Sequence, residues 1–232
     1  EALAFSPDGK QVLLTDEDGN LTIWDFWNNK EVSSINRHAE RVDGVTFSPD
    51  ATFISTINLE KKVKLWNILD HSTQAFKTKT FFYNHITFWP DGKSVLVIED
   101  EILTRFDLKG KRIQSFKGHE DEITCFAFSP DEKYLITGSN DNTANIWDTA
   151  GQEIKTLEGH SDNVTAVYFS PDNKYILTGS EDDTAILWNL DGKKVQTIEL
   201  LNDAGVVAFS PDGKSVVSAG LNVPLQLLDL AG

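Results

Sequence analysis

The chain repeats itself about every 41 residues, and that period limits the folds open to it. One marker is a short turn signal: AFSPDGK (4–10), TFSPDAT (46–52), TFWPDGK (87–93), AFSPDEK (127–133), YFSPDNK (168–174) and AFSPDGK (208–214). Its prolines, Pro7, Pro49, Pro90, Pro130, Pro171 and Pro211, are spaced by 42, 41, 40, 41 and 40 residues. A second marker keeps the same phase: IWD (23–25), LWN (65–67), RFD (105–107), IWD (146–148), LWN (187–189) and LLD (227–229). Self-similarity at this period means one supersecondary unit per repeat, each unable to bury its apolar faces alone, so neighbours must stack.

Inside a repeat the chain reads as short strands. In the fifth unit VTAVYFS is rich in β-branched and aromatic residues and stops at a Pro-Asp-Asn turn. KYILTGS, the polar turn EDD, TAILWNL, the turn DGK and KVQTIEL follow. Connections this tight demand antiparallel pairing, and no segment has a sustained helical period. Four-stranded antiparallel units repeated radially make a propeller.

The Gly-His pairs before the first strand, the FSPD turns, the TGSxD segments and the WD or WN endings resemble the WD-repeat β-propeller family. The resemblance covers essentially the whole chain; it is strong in units four and five, good in one and two, and poor in three and six. It implies an all-β fold, a β-propeller of six four-stranded WD-like blades, as one domain spanning 1–232 or an excerpt of a longer one. The blades fall at approximately 1–36, 37–79, 80–118, 119–159, 160–200 and 201–232. The last lacks its outer strand, so either flanking sequence completes the ring or adds blades to it, as in an excerpt of a longer protein, or the sixth blade presents an unpaired edge. The wording of units four and five is similar to bacterial WD-repeat arrays that sit beside NTPase or kinase modules.

HSDNVTAVYFSPDNKYILTGSED (160–182) brings a His, a Ser and an Asp into one stretch, the residue types of a hydrolytic triad. The set recurs, which a catalytic constellation does not. His119, Ser139, Asp141 and Trp147 in unit four match His160, Ser180, Asp182 and Trp188 in unit five. The resemblance implies a hydrogen-bonded structural network within each blade, with either Thr137 or Ser139 (Thr178 or Ser180 in the next) as the hydroxyl partner. A buried Trp N–H needs such a partner. A nucleophile elbow would need a strand-to-helix turn with oxyanion donors, and no helix follows. Other units depart from the set. Unit two has His38 and Trp66 but Glu60 in the Asp place, and unit one has Asp18 and Trp24. Unit three has Asp100 and Phe106, and unit six Asn222 and Leu228. Units three and six are therefore expected to be softer.

Composition narrows the function classes. With 21 Lys and Arg against 36 Asp and Glu, the net charge of −15 repels phosphate, so neither nucleic acid nor an anionic membrane is the expected partner. No apolar run reaches membrane-spanning length. Cys125 is the sole cysteine; disulfides and zinc-binding cysteine pairs are excluded, and a reducing, cytoplasmic setting is expected. DEDGN (16–20) resembles the opening of a calcium loop, but the twelfth position is Trp27 rather than a bidentate Glu. His71 and His85 lack partners at ligand spacing, and neither a P-loop nor a dinucleotide fingerprint is present. The chain is thus expected to be no enzyme and to need no cofactor.

A rigid platform for protein or peptide partners remains. The resemblance places its binding surface on the loop face around the central channel, where Leu59, Phe81, Phe82, Tyr83, Leu221 and Val223 are the apolar candidates. KTKTFFYN (77–84) replaces a Gly-His lead-in, freeing its aromatics for a partner; alternatively, Phe82 or Tyr83 opens the buried strand FYNHITF. Trp27 and Trp89 form a second candidate patch towards the opposite face. Self-association through the unpaired edge of unit six is a further expectation. The other reading is an intramolecular regulatory or sensor domain of a larger signalling protein, or an engineered or truncated propeller.

Overall fold

In the computed structural model, residues 2–35, 41–58, 60–79, 85–200, 206–219 and 226–230 are described. Among them 23 strands form six antiparallel sheets. Two compact units divide the chain, Glu1–Ser115 and Phe116–Gly232, the boundary falling inside one strand.

The first unit holds three sheets. Sheet one is β1 (Leu3–Phe5), β2 (Gln11–Thr15), β3 (Leu21–Asp25) and β4 (Lys30–Ile35). Sheet two is β5 (Val42–Phe47), β6 (Phe53–Asn58), β7 (Lys62–Asn67) and β8 (Thr73–Lys77). Sheet three is β9 (Ile86–Phe88), β10 (Ser94–Glu99), β11 (Ile102–Asp107) and β12 (Arg112–Lys117). The second unit holds sheet four, with β13 (Ile123–Phe128), β14 (Tyr134–Ser139), β15 (Thr143–Asp148) and β16 (Glu153–Glu158). Sheet five is β17 (Val164–Phe169), β18 (Tyr175–Ser180), β19 (Thr184–Asn189) and β20 (Lys194–Glu199). Sheet six has three strands, β21 (Val206–Phe209), β22 (Ser215–Ala219) and β23 (Gln226–Asp229). In every sheet the strands lie side by side in chain order.

The FSPD signal makes the first turn of each sheet. Ser6, Ser48, Ser129, Ser170 and Ser210 each donate a hydroxyl to the Asp two residues on, at 2.6–2.7 Å. Each also accepts the N–H five residues on, at 2.9–3.0 Å. The same turn carries a left-handed residue in all six sheets, filled by Gly9, Ala51, Gly92, Glu132, Asn173 and Gly213.

Within each compact unit, the trailing face of one sheet packs on the leading face of the next. Leu13 and Ile23 on the trailing face of sheet one pack with Phe47, Ile54 and Trp66 on the leading face of sheet two. Leu65 meets Phe88 and Phe106 in the same way between sheets two and three. Ile136 and Ile146 meet Phe169 and Trp188 between four and five, and Leu177 and Leu187 meet Val207 and Val216 between five and six. The strand period of two puts alternate residues on these faces, so β10 is buried throughout and β6, β14 and β18 are buried after their half-buried first residues.

Candidate functional site

The His-Asp-Ser/Thr-Trp set comes together in sheets four and five with nearly the same geometry. In sheet five the Trp188 indole N–H donates to Thr178 Oγ1 at 2.9 Å. Thr178 Oγ1 lies 2.7 Å from His160 Nε2, and His160 Nδ1 lies 3.0 Å from Asp182 Oδ2. In sheet four the corresponding distances are 2.9 Å for Trp147 to Thr137, 2.7 Å for Thr137 to His119 and 2.8 Å for His119 to Asp141. An indole N–H only donates and a carboxylate only accepts. The relay therefore runs one way: Trp to Thr, Thr to Nε2, and Nδ1–H to Asp.

The threonine, not the serine, is the hydroxyl partner. Ser139 and Ser180 donate instead to the carbonyls of Asp121 and Asp162, and accept the N–H of Asp141 and Asp182. The sequence reading did not include Thr143 and Thr184. Their hydroxyls donate to Asp141 Oδ1 and Asp182 Oδ1 at 2.6 Å. A Thr two residues after each Asp is the signal that marks them. The N–H groups of Glu120 and Ser161 complete the shell of the carboxylates. The glycine of each Gly-His pair leaves room for the indole: a Cβ on Gly159 would stand 3.0 Å from Trp188 Cη2.

Burial lowers the His160 pKa below 6.5, partly opposed by Asp182. Burial would raise the Asp182 carboxyl, but the bonds from Thr184, the Ser161 N–H and His160 outweigh it and hold it below 3.8. Asp141 is held well below the usual carboxylate range by its bonds from His119, Thr143 and the Glu120 N–H, which outweigh a larger single opposing contribution from burial. With both imidazole nitrogens engaged and the serine turned to backbone, the arrangement has no free base beside a nucleophile. It holds the second and third strands to the segment that enters the sheet.

The other sheets solve the same problem differently. In sheet two Trp66 donates to Thr56 Oγ1 at 3.2 Å, Glu60 pairs with Lys62 at 2.8 Å, and His38 lies outside the described residues. Sheet three places Val97 at the register of Thr137 and Phe106 at that of Trp147, so donor and acceptor are lost together. Here Arg112 pairs with the buried carboxylate of Glu99 at 2.7 Å, reaches Thr104 Oγ1 at 3.2 Å and lies over the Phe106 ring. Sheet six has Ser218 bonded to Gln226 at 3.1 Å, beside Leu228.

All six candidate partner-binding residues, Leu59, Phe81, Phe82, Tyr83, Leu221 and Val223, lie outside the described residues, as does Asn222. The two-tryptophan patch is corrected. Trp27 is 75% exposed, but Trp89 is buried beneath Arg105, whose guanidinium stacks 3.8 Å above the ring. Arg105 Nε donates to Ser94 Oγ and its Nη2 to Asp91, which ties down the turn where Trp89 has displaced the usual serine. Among the described residues no group of three or more His, Cys, Asp or Glu is placed to hold a metal ion, and no helix is long and apolar enough to cross a membrane.

Comparison with known proteins agrees with this architecture. The family model "WD domain, G-beta repeat" matches residues 1–25, 29–67, 110–148 and 151–189, more than half of the chain. The chain belongs to that family. It is 29% identical over 148 residues to telomerase protein component 1 of Rattus norvegicus, covering 63% of this chain and 6% of the relative. It is 30% identical over 151 residues to the serine-threonine kinase receptor-associated protein of Gallus gallus, covering 62% and 41%. The chain thus spans less than half the length of either relative. Its fold matches the crystal structure of the C-terminal WD40 domain of Sif2 with a TM-score of 0.86 at 21% identity, over 99% of this chain and 66% of that one.

Proposed function

We propose that the chain is a non-enzymatic interaction platform that binds protein or peptide segments through the loops of its propeller. The observation carrying this reading is the recurrence of the His-Asp-Thr-Trp set with every polar atom of the relay engaged. The groups that look reactive in the sequence are occupied in holding sheets, which leaves the non-repeated loop surface to carry function. The acidic field of the chain, at −15, favours neutral or basic partners. The names of two relatives, a "protein component" and a "receptor-associated protein", describe association with other molecules and point the same way.

Leu59, Phe81, Phe82, Tyr83, Leu221 and Val223 are the residues proposed to meet the partner, and a cytoplasmic setting belongs to the same reading. So does self-association along the outer edge of β23, which pairs with no strand among the described residues. A regulatory domain within a longer signalling protein is the second reading. It is favoured by the small share of its relatives that the chain spans, and the finer similarity to bacterial arrays rests on the wording of units four and five.

The test is capture from a source lysate by immobilised chain, beside a variant carrying Phe81→Ala, Phe82→Ala and Tyr83→Ala that keeps the parent circular dichroism. A partner bound by the parent and released by the variant supports the platform and its site. Binding by both moves the site, and binding by neither overturns the platform reading.

A further inference from the structure

Sheets two and three lie within the first unit, and their contact departs from the repeat on both sides. On the trailing face of sheet two, Ser55 stands opposite Leu65. Leu13, Leu96, Ile136 and Leu177 hold that register in other sheets. On the leading face of sheet three, Phe106 stands where sheets one, two, four and five have Trp24, Trp66, Trp147 and Trp188. Both departures remove volume from one contact. Phe76, larger than Leu157 and Ile198 at its register, restores part of it, with its ring 5.1 Å from that of Phe106. Ser55 Oγ is sealed from solvent and bonds no group among the described residues.

A cavity of about 360 Å³ opens on the same contact. Phe53 and Leu65, the neighbours of Ser55 along and across sheet two, form its apolar floor with Leu108 from the turn after β11. Its rim is polar, with Ser72, Gln74 and Lys109. The turn carrying Lys109 is firmly tied. Asp107 Oδ1 accepts the N–H groups of Lys109 and Lys111 at 2.9 and 2.8 Å. Gly110 lies so close to sheet two that a Cβ there would stand 2.6 Å from Phe76 Cβ. The Lys109 ammonium and the Gln74 amide are engaged with no other side chain among the described residues. Residues 60–117 hold eleven Lys and Arg against seven Asp and Glu, a net of +4 in a chain of −15.

We propose that this cavity is a binding site for a small carboxylate with an apolar body. The body lies on Phe53, Leu65 and Leu108, and the carboxylate stands at the rim, where Lys109 and the Gln74 amide donate to it. The volume is that of a small-ligand pocket. The floor offers no partner to a polar body, which would lose its water without compensation. At the rim the free donors and the local positive charge select an anion, and binding breaks no existing side-chain bond. The site uses none of the loop residues assigned to a protein partner, so it stands independently of the platform reading.

Amide NMR of the full chain, titrated with phenylbutyrate and with phenylbutyramide as its uncharged counterpart, tests this. Phenylbutyrate is expected to saturate at millimolar concentration or below and to shift the amides of Phe53, Leu65, Gln74 and Leu108. Phenylbutyramide binds the same floor more weakly. Lys109 is exposed, so Lys109→Glu is expected to keep the parent circular dichroism and urea midpoint. It weakens phenylbutyrate about tenfold or more and leaves phenylbutyramide unchanged. Ser55→Leu restores the kind of side chain the other sheets carry, fills the floor and removes binding of both ligands. Should that variant fail to fold, Lys109→Glu still decides. Phenylbutyrate that does not saturate overturns the proposal, as do shifts confined to other residues. So does an equal effect of Lys109→Glu on the two ligands, and so does undiminished binding by a folded Ser55→Leu.

Discussion

Removing the Thr178 hydroxyl tests the relay at its hub. In Thr178→Val the side-chain volume stays nearly constant while two bonds vanish, the one from Trp188 Nε1–H and the one to His160 Nε2. Trp188 is 2% exposed and the His160 side chain 1%, so water cannot replace the hydroxyl. Two buried polar groups without partners cost roughly 1–3 kcal/mol each, or about 2–6 kcal/mol together. Trp188→Phe removes the donor and some volume but leaves Thr178 bonded to His160, and is expected to cost about 1–3 kcal/mol. In the double variant no indole N–H remains to be stranded, so its cost falls below the sum of the single costs by roughly 1–3 kcal/mol. Sheet three already holds that combination, with Val97 and Phe106 both buried. Urea unfolding followed by far-ultraviolet circular dichroism measures all four proteins without relying on Trp188 as the probe. Additivity within about 0.5 kcal/mol would refute the claim that Thr178 receives the indole in a closed network.

Glu132 sits at φ +60° where Gly9, Gly92 and Gly213 hold the same turn position, and its side chain is exposed. Glu132→Gly is expected to stabilise by about 0.5–1 kcal/mol after the larger unfolded-state entropy of glycine is subtracted; an unchanged or lower urea midpoint would contradict this. His160 is shifted below 6.5 by burial, so the unfolded chain takes up that proton first. Its contribution is complete above 6.5 and declines as pH falls towards the folded value. The depressed Asp141 and Asp182 add a second loss below 3.8. Urea midpoints measured from neutral to acid pH should show both declines, the upper one reduced in His160→Asn relative to its own neutral value and the remainder carried by His85, which burial also holds below 6.5. Arg112→Met leaves the Glu99 carboxylate buried without its ion pair and is expected to cost roughly 2–4 kcal/mol, reduced from the fully buried case because Arg112 is 40% exposed. Adding Glu99→Leu should recover part of that loss, and no recovery in thermal unfolding would remove Glu99 from the account.

The period, the turns and the strand order were legible because they rest on local chemistry that recurs six times. The relay was legible in its membership but not in its wiring. Thr178 and Ser180 are two residues apart and share a face of β18, so strand periodicity cannot tell them apart. Ser180 ends its strand, which brings its hydroxyl to the Asp162 carbonyl rather than to His160. The Arg112–Glu99 pair was missed because it occurs once and reaches across β11, from β12 to the end of β10. Trp89 looked like an exposed patch because the residue covering it, Arg105, is charged and lies on another strand.

Exposure at the end sheets was hidden for a different reason. AFSPDGK is spelled identically at 4–10 and 208–214, yet Phe5 is exposed while Phe209 packs against the core shared by sheets five and six. A residue's local sequence sets which face it occupies, and the neighbouring sheet sets whether that face meets water. In a stacked array the two are independent, because each sheet contacts only its neighbours. Sheet three shows the matching freedom in the interior: Val97 and Phe106 replace the hydroxyl and the indole together, while Phe88 and Val95 keep the apolar contacts with sheet two. The polar wiring of one sheet can therefore change without altering the surface it presents to the next. The contact between neighbouring sheets is carried by the apolar register, as Leu65 against Phe88 and Phe106 shows.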